Sequence, residues 1–249
     1  MKYIELKVAD NKAKNICHLN YRGTPNMNIS SKLYLTLLLI FTIGTISCNK
    51  VTTGNTAEID ESLEPIEAVV PVESGENVSL TVNRNADKAY FDLKFENIQS
   101  NSIISNGEWN GWCIDVFKPL NSNGGVYNNV ELFSTDLVEQ WLPVNYLLNI
   151  QDELLANDED LTWREIQLAI WSLRAYPAFN LDDVAITELS SSFHEDGEPL
   201  FSYEKVENIL PLVESGYQEF DYTQSGTKYA VVAVPPVDVQ TVFAVVEKN

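Results

Sequence analysis

Thr162-Trp163-Arg164-Glu165-Ile166-Gln167-Leu168-Ala169-Ile170-Trp171-Ser172-Leu173 is the stretch on which the fold turns. Thr162 followed three residues later by Glu165 is a capping-box pattern, in which each side chain satisfies a backbone N–H near the other. Trp163, Ile166, Ile170 and Leu173 then recur at helical spacing and form one apolar face. The spacing predicts a helix from Trp163 that Pro177 ends. A second helix is predicted over Leu142–Leu155, with Pro143 in its first turn and apolar residues at 144, 147, 148, 154 and 155. A third is predicted over Tyr203–Glu214, capped by Ser202.

Strand patterns lie on both sides of this helical section. Val78–Arg84 and Ala89–Phe95 alternate apolar with polar residues, as strands with one buried face do. Gly107–Gly111 reads as a turn into a short strand, Trp112–Phe117, stopped by Pro119. Asn121–Gly125 reads as a second turn, leading into Val126–Phe133. Lys228–Val234 and Val239–Val246 return to strand, divided by Pro235-Pro236. Strands, then helices, then strands imply an α+β domain: an antiparallel β-sandwich or barrel-like core with a helical insertion.

The N-terminus has the marks of a leader. Lys32 precedes an uncharged run of 14 residues, Leu33–Ile46. That is the length of a signal-peptide apolar region and short of the roughly 20 residues a membrane span takes. The run ends in Thr45-Ile46-Ser47-Cys48, which resembles a lipobox with Cys48 as the acylated residue; Thr45 replaces the usual Leu. The expected organisation is therefore an upstream extension over 1–26 with Met27 as the start, and a lipoprotein signal peptide over 27–48. An acidic tether follows over 49–76, then a folded domain over 77–249. The implied location is the cell envelope, lipid-anchored through Cys48 and facing the outer-membrane or cell surface.

Removing the first 48 residues takes away six Lys and Arg and two Asp and Glu. The remaining 201 residues carry 10 basic and 34 acidic side chains, a formal net charge of −24. That disfavours nucleic acid and anionic membrane surfaces as partners. Cysteine usage is sparse: Cys17, Cys48 and Cys113. Only Cys113 falls in the folded part, and a lone thiol in an exported protein is unusual. A buried, inert cysteine is the plain alternative.

Cys113 sits in Trp112-Cys113-Ile114-Asp115. Fifty-four residues later comes Gln167, about 40° from Trp163 on a helical wheel, at the border of the apolar face. Trp171, one turn on, is placed to cover it. An aromatic-Cys-apolar segment, followed by apolar-Gln-x-x-apolar-Trp on a helix (Ile166-Gln167-Leu168-Ala169-Ile170-Trp171), resembles the bacterial surface thioester domain family. Val144-Asn145-Tyr146-Leu147-Leu148-Asn149 looks like the family's intervening helix. The resemblance spans roughly residues 80–245, and about 30 residues carry it. Trp112 departs from the more usual Tyr or Phe before the cysteine.

The resemblance implies a bond between the Cys113 sulfur and the Gln167 side-chain carbonyl, with ammonia expelled. Trp112, Asp115, Ile166, Ile170 and Trp171 would support it, and Trp109 and Trp163 would add cover. It implies an adhesin that attaches once to a target amine, such as a Lys side chain of a surface or host protein, and so is not an enzyme. No cofactor and no metal are called for. Two other readings stand beside this one. The first is a non-covalent binding module on the same fold. The second is a cysteine hydrolase using His194, in the polar stretch Ser191–Gly197. The acidic clusters Asp182-Asp183 and Asp158-Glu159-Asp160 lack calcium-loop spacing and read as solvated charge or helix caps. Asn77-Val78-Ser79 reads as a chance glycosylation match.

Overall fold

The computed structural model describes residues 67–249 except 86, 176, 177 and 237. The leader, Cys48, most of the expected tether and Pro177 lie outside the described residues.

Among the described residues, nine strands and three α-helices build the domain. The strands are β1 (Val70–Pro71), β2 (Val78–Arg84), β3 (Phe91–Glu96), β4 (Gly107–Cys113) and β5 (Asn123–Ser134). After the helices come β6 (His194–Glu195), β7 (Glu198–Pro199), β8 (Lys228–Val234) and β9 (Val242–Glu247). The helices are α1 (Leu142–Asn157), α2 (Trp163–Arg174) and α3 (Tyr203–Gly216). All strand pairings are antiparallel, in the order β1-β5-β2-β3-β4-β9-β8, and β8 pairs back onto β5. Six strands thus close into a barrel, which removes the exposed edges of an open sheet. The α+β expectation, with helices inserted into an antiparallel core, is what the chain adopts. The helices enter between β5 and β8, apart from the small β6–β7 hairpin that precedes α3.

Residues directly opposite in an antiparallel ladder share a face. Followed round the barrel, Leu80 and Phe95, Val82 and Leu93, Phe91 and Gly111, Cys113 and Val242, and Ala233 and Leu132 turn inward. On the open side of β3 the outward residues Lys94 and Glu96 are exposed. β8 and β9 are buried on both faces, because α1 packs across β8. Their near-continuous apolar runs reflect that second cover. In β5 one extra residue bulges opposite β2, between Tyr127 and Val130, with Asn129 at φ 54.

Two turn readings are corrected. Gly107–Gly111 is strand, the greater part of β4, and β5 already begins at Asn123. Glycine and asparagine mark turns in general, but Gly111 serves packing: a Cβ there would lie 2.4 Å from the Leu93 side chain. The expected strand over Trp112–Phe117 ends at Cys113. At the N-terminal side, β1 pairs with Ser134 and Phe133, and Val72 is buried, so residues 70–75 of the expected tether already lie on the barrel.

The capping box is present as read. The Thr162 N–H donates to Glu165 Oε2 at 2.9 Å and the Arg164 N–H donates to Thr162 Oγ1 at 3.2 Å. Glu165 does more than cap. Its other oxygen accepts the Ser202 N–H at 2.9 Å, tying the start of α2 to the cap of α3, and the residue is 2% exposed. Glu165→Ala therefore strands two backbone N–H groups and is expected to cost about 2–4 kcal/mol. Glu165→Gln keeps one of the two acceptors and should cost about half as much. Chemical denaturation midpoints of the two variants check this.

Helix α1 is fixed to β8 by asparagines. The ladder between β5 and β8 ends at Val231, and the Ala230 carbonyl still accepts the Thr135 N–H, but the N–H of Ala230 and the backbone of Lys228 are left open on that side. Asn145 Oδ1 accepts the Ala230 N–H at 3.0 Å. Asn149 pairs both ways with Lys228, its Oδ1 accepting the N–H at 2.8 Å and its Nδ2 donating to the carbonyl at 2.8 Å. A side-chain amide here stands in for a missing strand.

Candidate functional site

The same device recurs at Cys113. On its β3 side, β4 loses its partner after the pair Phe91–Gly111. On the other side, Cys113 stands opposite Val242 and the Ile114 N–H donates to Thr241 O. Cys113, at the end of β4, therefore turns an unpaired N–H and carbonyl toward α2. Gln167 fills the gap. The Cys113 N–H donates to Gln167 Oε1 at 3.0 Å, and Gln167 Nε2 donates to Cys113 O at 2.9 Å. Both residues are fully buried. The carboxamide that the helical wheel put at the edge of the apolar face is inside it, because the β4 backbone supplies both of its hydrogen bonds.

Cys113 is on the inward face of β4 and Trp112 on the outward one, beside Phe243. Phe243 in turn meets Trp141 edge-on at 5.7 Å, under the helices. Trp112 is fully buried but faces away from the thiol, so strand alternation corrects its expected part in the cover. Trp109 is half-buried, and its indole N–H donates to Ser105 O at 3.1 Å. Trp171 is 2% exposed and belongs to an aromatic cluster. Phe193 lies 5.1 Å from its ring, Phe179 5.6 Å and Tyr90 6.3 Å; Tyr90 also stacks on Trp163 at 5.0 Å. Ile166 and Ile170 are fully buried on α2.

Tyr90, Phe179 and Phe193 were not read as part of the site. They come from three distant segments that meet only when the barrel and helices close together. Phe193 had one signal, as a lone aromatic within Ser191–Gly197. It is fully buried and pins that stretch to the cluster.

Asp115 is fully buried. Its Oδ2 accepts the Thr241 N–H, and Lys118 Nζ lies 3.7 Å from Oδ1 and 3.6 Å from Asp238. It locks the turn after β4 to the start of β9. Burial pushes the Cys113 thiol well above its ordinary value, and the charge of Asp115 adds to that. The Trp171 indole N–H makes no close hydrogen bond, yet its approach to the sulfur favours the thiolate, as does the charge of Arg84. His194 pairs with Pro199 in the β6–β7 hairpin, and its Nδ1 is buried without a hydrogen-bond partner. Asp158 caps the end of α1 and pairs with Lys205 at 2.7 Å. Among the described residues no group of three or more His, Cys, Asp and Glu is arranged to hold a metal ion. Nor, among them, is any helix long and apolar enough to cross a membrane.

The raised thiol has a stability consequence. A free Cys113 stays protonated in the fold at pH values where the unfolded chain has already ionised. Its contribution is whole below about pH 8.5, the ordinary cysteine value, and is lost as pH rises above it. Tyr90 and Tyr229 are also raised, so the fold loses alkaline stability through them as well. Cys113→Ala removes only the thiol's share. If Cys113 is a free thiol, melting temperatures from pH 7 to 10 should fall more steeply for wild type than for the variant. If the sulfur is acylated, the slopes should coincide.

The arrangement is suited to one reaction in particular. A carboxamide whose oxygen receives a backbone N–H is polarised at its carbon, and the same N–H is in place to stabilise negative charge as a nucleophile adds. The two hydrogen bonds fix the amide against the residue that carries the thiol, which converts an encounter into a positioned step. No family model matches the sequence, and no curated protein matches it. Among solved structures the chain is similar to the N-terminal thioester domain of a surface protein from Clostridium perfringens, at 12% sequence identity and a TM-score of 0.38, over 68% of this chain and 98% of that one.

Proposed function

We propose that this domain forms an intramolecular thioester between Cys113 and Gln167 and uses it to attach, once, to an amine on a target protein at the cell surface. The observation that carries the reading is the pair of hydrogen bonds, 3.0 and 2.9 Å, that hold a buried carboxamide against the Cys113 main chain. In the first step the Cys113 sulfur adds to the Gln167 Cδ, the C–N bond breaks, and the thiol proton leaves with the nitrogen as ammonia. In the second, an amine nitrogen replaces the sulfur on that carbon and its proton returns to the sulfur. The protein is consumed in the act, and no cofactor takes part. Anchoring through an acylated Cys48 would hold the domain at the envelope while it reacts.

The non-covalent reading also has an observation behind it. Asn149 makes the same two-way clamp on Lys228, where there is no cysteine. An amide that completes a ladder needs no further chemistry to account for it. Intact mass separates the two. Wild-type protein should fall short of its sequence mass by one ammonia, the deficit should be absent from Cys113→Ala, and methylamine should add once to wild type alone. A wild-type mass equal to the sequence would leave the clamp as the whole role of Gln167.

A further inference from the structure

Cys113 and Gln167 are both fully buried, so an attacking amine needs a route in. Two clefts of about 490 and 430 Å³ abut Trp109. Trp109 is four residues from Cys113 along β4, about 13 Å at the rise of extended chain, so neither cleft opens on the pair. A third cleft, of about 270 Å³, is lined by Arg84, Tyr90, Phe117, Lys118, Leu120 and Ser122, among others. Its walls reach the surroundings of the sulfur on two sides. Tyr90 packs on Trp171, the residue one turn after Gln167, and Lys118 lies 3.7 Å from Asp115, two residues after Cys113. Tyr90 is 2% exposed and lines the cleft, its ring 6.3 Å from that of Trp171 and the Arg84 guanidinium laid over it at 4.7 Å.

We propose that this cleft is the entrance by which a lysine side chain of the target reaches the thioester, with Tyr90 as the wall it displaces; the proposal rests on the thioester reading above. The chemistry of the lining fits a lysine. Phe117, 51% exposed, and Leu120 offer apolar surface to the four-carbon stem. The positive charge of Arg84, an exposed residue of the lining, disfavours an ammonium beside it and favours the neutral amine, which is the nucleophile. Once past Tyr90, the nitrogen bonds to the Gln167 carbonyl carbon, the C–S bond breaks, and the amine proton passes to sulfur, restoring the Cys113 thiol.

The test uses Ser122→Trp, which fills the cleft from its rim, with Glu108→Trp in the 490 Å³ cleft as control. Intact mass first reports whether each protein carries the one-ammonia deficit. Its absence from wild type would end the underlying thioester reading, whatever the cleft does. With the deficit present, the rate of adduct formation with a lysine peptide should fall at least tenfold in Ser122→Trp and hold in Glu108→Trp. Equal rates in wild type and Ser122→Trp overturn the entrance. Should Ser122→Trp not fold, the wild-type adduct decides: a peptide with a photoreactive group beside its lysine should crosslink to residues 117–122. Crosslinks at 108–110 instead would place the entrance elsewhere.

Discussion

Cys113→Ala should lose about 5 kcal/mol of stability if the thioester forms, and about 1 kcal/mol if it does not. The smaller figure is the ordinary cost of trimming a buried side chain by one heavy atom, with the two backbone hydrogen bonds to Gln167 left in place. The larger one adds the effect of a lost cross-link. A bond between residues 54 apart in sequence restricts the unfolded chain as a disulfide does, and a loop of that length contributes about 4 kcal/mol by chain entropy. Gln167→Ala gives a second arm. It strands the Cys113 N–H in a fully buried place, and the carbonyl as well where no thioester has expelled the amide nitrogen, at about 1–3 kcal/mol each. With no thioester, Gln167→Ala is much the worse of the two variants. With one, both are severe. Urea unfolding of wild type and the two variants, at a pH low enough to keep free thiols protonated, reads the difference. A 1 kcal/mol loss in Cys113→Ala would count directly against the covalent reading.

Much of this arrangement was legible because it depends on local rules. A capping box, a helical apolar face and alternating strands are set by near neighbours, and α2, α3, β2 and β3 lie where those signals put them to within a few residues. What local pattern could not give was the meaning of a residue set by a neighbour far along the chain. Gly111 looked like part of a turn because nothing nearby in sequence announces Leu93, which fills the space a side chain would need. Gln167 looked like a border residue because the helix alone has no partner for it; the partner is the end of β4, where β3 has stopped. Trp112 adjoins Cys113 in sequence and so looked like its cover. One step along a strand reverses the face, and the aromatic that approaches the sulfur is Trp171, with Tyr90 and Phe193 packed against it.

That cover should carry the second large effect. Trp171 is 2% exposed, with Phe193, Phe179 and Tyr90 packed around it, and its indole N–H approaches the Cys113 sulfur. Trp171→Ala is expected to cost about 3–5 kcal/mol, since the ring leaves a cavity its aromatic neighbours cannot close. The cavity would not stay dry. The Cys113 sulfur and the group bonded to it border it, which gives an entering water polar partners among the rings. A water there would lie beside an activated carbonyl, so a thioester that lasts in the wild type should hydrolyse at least tenfold faster in the variant. The product gains one water, with Gln167 converted to glutamate and Cys113 returned to a thiol. Trp171→Phe keeps a ring in place while removing the N–H. It should cost about 1–2 kcal/mol and leave hydrolysis within a few-fold of wild type, because exclusion of water rather than the N–H is what the cover supplies. Mass spectra collected over hours at constant pH follow the gain of water directly. If Trp171→Ala keeps its deficit of one ammonia as long as wild type does, the water barrier lies in Tyr90 and Phe193 alone. If Trp171→Phe hydrolyses as fast as Trp171→Ala, the indole N–H is itself protecting the bond, and the ring is only its support.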